Sequence, residues 1–312
     1  MPFLDESKYP QNQLIADINA GTSFVKVIPD NIGDLLYFDT TEPKAEPLAD
    51  KVYTRRKIIT AIVTIIAIAG IWFGLHNYIG WSIILTVVAS VIGLLFYLSQ
   101  SFSGDDFFVG TEGYAIYHFV KNRDNVETKK LQRYSDGFLL LHKEVVKYKD
   151  NNYDGTDYSF TYIGKPNDKD ISNTIDEVEG SYYSGGAVGN TGHRYYDFWY
   201  RIEDQLTSRY LYAADNLLKE GKSIPFFIAF KGRNKTWETA PFILLSPGVI
   251  KYGNKTFTKD NLKRVYVKRG VLHFEEVYQP NIKTTGKMEV PLEMIGNRKA
   301  FLILLSKLYG ID

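Results

Sequence analysis

Two apolar runs, Ile58–Leu75 and Trp81–Leu98, carry no charged residue and are separated only by the turn His76–Gly80. Each has the length, roughly 17–25 residues, that spans a ~30 Å hydrocarbon core as a helix. The turn is too short for a wide crossover, so residues 57–99 are expected to form a transmembrane helical hairpin. Lys51, Arg55, Arg56 and Lys57 stand directly before the first run, while the turn has neither Lys nor Arg. Cations collect on the cytoplasmic side of spanning helices, which puts the N-terminal flank inside the cell. A second crossing returns the rest of the chain there. The expected address is the plasma (inner) membrane, multi-pass, with both flanks cytoplasmic and Arg55, Arg56 and Lys57 setting the orientation. More than fifty mostly polar residues precede the first run, unlike the flank of a secretory leader. No ionisable side chain falls inside either run, which leaves no proton or ion path there.

Lipid gives helices no hydrophobic reason to associate, so packing in a membrane needs small residues and close backbones. Gly70 and Gly74 form a GxxxG in the first run, and Ala89 and Gly93 lie beside Ser82, Thr86 and Ser90 in the second. These faces can pack the hairpin on itself. A second copy or a partner subunit is the alternative occupant, but a hairpin must satisfy itself first.

Outside the hairpin the pattern is aromatic and β-branched, with 23 Tyr, 19 Phe and no Cys. That composition reads as β-rich, without disulfide or thiolate chemistry. Residues 1–56 are polar, with short strands expected at Ser23–Ile28 and Leu35–Phe38 and a linker over Asp39–Pro47. This segment is too small for a core of its own and can lie against the later chain or another protein. After the hairpin, strands are expected at Phe107–Val120 (broken at Gly110 and Gly113), Phe138–Tyr148, Tyr158–Ile163 and Tyr195–Tyr200. A helical face, Ile202, Leu206, Tyr210, Ala213 and Leu217, then runs to Gly221. Further strands lead to a last helix over Arg298–Tyr309, between Asn297 and Gly310.

Strands followed by a helix thus occur twice, and the halves echo each other. Lys130-Leu-Gln-Arg133 before Gly137 matches Asn261-Leu-Lys-Arg264 before Gly270, and Gly113–Tyr117 matches Gly248–Tyr252. The later half, LLSPGVIKYGNKTFTKDNLKRVYVKRGVLHFEE and then MEVPLEMIGNRKAFLILLSKL, resembles the bacterial pleckstrin-homology-like domains. The resemblance implies tandem bent antiparallel β-sheets, each closed by a C-terminal helix, in a membrane-anchored protein. It brings no catalytic or ligand residues with it. The implied division is an N-terminal cytoplasmic segment and linker (1–56), the hairpin (57–99), a first such domain with insertions (105–221) and a second (223–312).

Candidate chemistry is sparse. Asp150, Asn152 and Asp154 before Gly155 open like a calcium loop, whose alternate oxygens face one ion. Position twelve is Thr161, where a bidentate Glu is needed, and Asp-Gly between β runs reads better as a hairpin tip. The Gly185–Gly192 stretch lacks the strand-to-helix setting and the Lys-Ser/Thr of a phosphate loop. The five His form no ligand pair, and no serine sits in a G-x-S-x-G elbow. No cofactor is expected, and a non-enzymatic role is. Net charge is +1, so a nucleic-acid partner is not expected.

Charge is nevertheless uneven. Asp150–Gly180 holds eight carboxylates against Lys165 and Lys169; Lys251–Lys287 holds nine Lys/Arg against Asp260, Glu275 and Glu276. Lys263, Lys268 and Arg269 are expected around one turn of that basic region. The expected function is a membrane-anchored cytoplasmic scaffold or accessory subunit, integral in the bilayer, with a protein partner or self-association. The alternative is a lipid-responsive sensor reading the leaflet with that basic face.

Overall fold

The structure is a computed structural model describing residues 11–21, 25, 27–41, 47–99, 103–120, 126–166, 171–183, 191–232, 236–277 and 288–310. The chain divides into two compact units, Met1–Gly110 with Ala115–Leu131, and Thr111–Tyr114 with Gln132–Asp312.

In the first unit the apolar runs form α2 (Pro47–Gly74) and α3 (Ile79–Ser99), preceded by α1 (Gln11–Asn19). The stretches Thr54–Gly74 and Ile79–Tyr97 are long and apolar enough to cross a membrane. Ser82 Oγ donates to Leu75 O at 2.9 Å, joining Tyr78 N as a second donor to a carbonyl just past the end of α2. The residues withdrawn from the surface define the seam: Thr60, Thr64, Ile68 and Ile71 on α2, Ser82, Thr86, Ala89 and Gly93 on α3. At Gly93 the helices approach so closely that an added Cβ would lie 2.4 Å from Thr64 Oγ1. Gly70 and Gly74 would meet nothing within 4 Å. Of the expected small face on α3, Ser82, Thr86, Ala89 and Gly93 therefore pack the hairpin, while Ser90 is exposed. The GxxxG lies off the seam.

The hairpin is spliced into a sheet. Strand β1 (Leu35–Thr40) pairs antiparallel with β2 (Ser103–Gly110), with Phe38 opposite Phe108 and Thr40 opposite Asp106. Just beyond, Thr41 N donates to Asp105 O and Asp105 N donates to Thr41 Oγ1, at 2.9 and 2.8 Å. Strands β3 (Gly113–Val120) and β4 (Val126–Arg133) complete the sheet in the order β1-β2-β3-β4. The N-terminal segment thus belongs to a core that needs the chain beyond the hairpin. Ile18, Ile32, Leu35 and Phe38 bury with Phe108, Ala115 and Tyr117. Gly110 admits this packing, because a Cβ there would sit 2.3 Å from the Ile32 carbonyl oxygen. The expected strand at Leu35–Phe38 forms and runs on to Thr40, whereas Val25, Val27 and Ile28 lie outside any strand.

The second unit opens with β5 (Gly137–Lys149) and β6 (Asn152–Gly164), followed by β7 (Ile171–Ser172) and β8 (Thr174–Tyr183). Strands β5, β6 and β8 form one sheet in that order. Its inner face carries Tyr158, Phe160 and Tyr162 against α4 (Thr191–Lys219). The aromatic segment Tyr195–Tyr200, expected as a strand, lies inside α4. Burial of Phe198, Trp199 and Ile202 at helical spacing decides this over β propensity. Trp199 stacks on Phe160, and Tyr114 OH donates to Asp176 Oδ2 at 2.8 Å beneath them.

Strands β9 (Ile224–Lys231), β10 (Trp237–Ser246), β11 (Val249–Tyr252) and β12 (Lys255–Thr258) then build a sheet that β7 joins at Trp237 and Glu238. Strands β13 (Leu262–Lys268), β14 (Val271–Glu276) and β15 (Met288–Pro291) form a three-stranded sheet, and α5 (Arg298–Tyr309) ends the unit. The order β9-β10-β11-β12, then β13-β14-β15, then α5 repeats β1-β2-β3-β4, then β5-β6-β8, then α4. The Gly113 and Gly248 echoes fall on matching strands, β3 and β11. The Lys130 and Asn261 echoes do not: β13 and β14 pair as a hairpin, whereas β4 and β5 belong to different sheets.

The compact units do not divide between residues 221 and 223, the expected junction of the two domains. The reason is a shared core. Ala214 of α4 buries with Ile224, Phe226 and Phe301, and Leu139 and Leu141 of β5 bury with Ala229 of β9.

Candidate functional site

The calcium candidate resolves into a turn. Asp150 and Asn151, both with positive φ (51° and 64°), form the two-residue tip between β5 and β6. A type I′ tip matches the twist of its strands and takes Asn and Asp readily. Asn152 and Asp154 are strand residues of β6, so the twelve-residue loop has no counterpart. Among the described residues no group of three or more His, Cys, Asp or Glu is placed to hold a metal. Residues 185–190 of the glycine-rich stretch lie outside the described residues, and Thr191 and Gly192 open α4.

The expected basic patch is split. Lys268 ends β13 and Arg269 (φ 52°) forms the turn to β14 with Gly270. Lys263 lies at the opposite end of the strand, five residues or roughly 17 Å away. There the register slips between Leu262 and Arg264, a bulge that turns two consecutive side chains to one partner. Lys263 Nζ and Arg264 Nε reach the Glu275 carboxylate at 3.1 and 2.5 Å. Arg264, followed by Lys263, holds Glu275 below the usual carboxylate range. The Arg264 guanidinium also lies 4.6 Å over the Tyr266 ring. Beside this pair a groove of about 360 Å³ opens toward the end of α5, with Lys259 on its rim and Leu262, Leu308 and Tyr309 in its wall.

A second charged constellation escaped the sequence because its members lie far apart in the chain. Strand β5 directs His142 and Glu144 toward α4, which supplies Tyr196 and Glu203; α5 supplies Arg298. Asn297, at φ 54°, sets that helix start: its N–H donates to Leu140 O at 2.8 Å, and its Oδ1 accepts from Leu140 N at 3.1 Å. His142 Nδ1 lies 2.9 Å from both Glu203 Oε2 and Arg298 Nη2, and the ring stacks on Phe160. Arg298 Nη2 donates to Glu144 Oε2 at 3.1 Å, and Tyr196 OH donates to Glu144 Oε1 at 2.6 Å. His142 and Glu203 are almost fully buried. The cluster binds β5, α4 and α5 together and is closed to a substrate at its imidazole.

Its electrostatics make a prediction. The His142 ring, then Tyr196 and Arg298, hold Glu144 at about 2 against the opposing effect of burial. A depressed carboxylate stabilises the fold above its unfolded value near 4.5, and that contribution disappears as pH falls toward 2. Discounted for partial exposure, the contribution is roughly 1–2 kcal/mol. Unfolding free energy between pH 5 and 2 is expected to fall less steeply in Glu144→Gln than in the parent. Equal slopes would refute the assignment.

Comparison with protein-family models, curated proteins and solved structures gives no match. Function is therefore argued from this chain's own geometry.

Proposed function

We propose that the protein is a non-enzymatic, membrane-anchored cytoplasmic scaffold or accessory subunit, built from two pleckstrin-homology-like repeats closed by α4 and α5. The observation that carries this reading is the hairpin's place between β1 and β2. Only residues 100–102 separate α3 from β2, a reach of about 10–15 Å, so the sheet is held at the membrane surface. A unit tied there through two adjacent strands suits docking of a membrane or cytoplasmic partner. The repeated order of four strands, three strands and a helix supports the family reading.

Purification of the full chain in mild detergent, with mass spectrometry after gel filtration, tests the role. A protein partner held in fixed stoichiometry is expected. Recovery of the folded chain with anionic lipid alone would favour the sensor and overturn the scaffold. Topology is tested separately: Lys8 and Lys307 should both resist an impermeant amine reagent in intact cells, since both flanks are read as cytoplasmic. Labelling of either from outside would invert the arrangement.

A further inference from the structure

We draw no further inference here: the strongest candidate, the edge of β5 where Val145, Val146 and Tyr148 are exposed, carries nothing because Lys143 and Lys147 beside it are already paired with Glu293 and Asp157 and nothing in the structure shows what covers it.

Discussion

Arg298→Met is expected to destabilise the protein by about 3–5 kcal/mol, the usual range for removing one partner from a buried charge cluster. Arg298 contacts both Glu144 and His142, and Glu203 lies across the same imidazole. Without the guanidinium, two carboxylates face one histidine in a nearly closed space. The melting temperature should fall by roughly 10 °C for a unit of this size. Adding Glu144→Gln should recover a large part of the loss, because Glu144 is the carboxylate that Arg298 pairs with. A loss below about 1 kcal/mol, or no recovery, would make the cluster an exposed ion pair in energetic terms.

Gly137→Val is the other large effect. An added Cβ at Gly137 would lie 1.8 Å from Tyr162 Cζ. Tyr162 is buried and its hydroxyl donates to Tyr134 O at 2.9 Å, so the ring cannot move without leaving that carbonyl unpaired. Overpacking and the broken hydrogen bond together cost about 4 kcal/mol. Gly164, paired directly opposite Gly137 on β6, is the control: its added Cβ would find its nearest neighbour, Ile175, at 3.4 Å. Denaturant unfolding should separate the two sites, with Gly164→Ala within about 1 kcal/mol of the parent. Similar losses at both would mean that Tyr162 does not occupy the space above Gly137.

What could be read from the residues follows the range of the forces involved. The two apolar helices depend on neighbours in sequence and were legible; a turn between β5 and β6 was legible too, but its tip is Asp150–Asn151, while the Asp154-Gly155 pair that signalled it lies inside β6. Tyr195–Tyr200 was misread because its β-forming composition is overruled by burial of Phe198 and Trp199 on one helical face. The pairing of β1 with β2 spans the whole hairpin and leaves no local trace. Arg298 is likewise remote from Glu144, and no periodicity joins them. The basic patch failed for a subtler reason: Lys263 and Lys268 stand at opposite ends of an extended strand, and a bulge at the first end sets Lys263 beside Arg264 on Glu275.

The splice of the hairpin into β1 and β2 also fixes an order of events during synthesis. Strand β1 leaves the ribosome first and must wait for β2, with α2 and α3 made in between. A flexible loop of that length would resist closure entropically, and the resistance grows with the logarithm of length. Two antiparallel helices held side by side through Gly93 and Thr64 remove most of it, bringing Thr41 and Asp105 to one place. Where the two helices fail to pair, Phe38 and Phe108 have no sheet to bury in, and the chain presents them to the proteases and chaperones that dispose of unfolded protein. Completion of the sheet thus reports that the hairpin has formed.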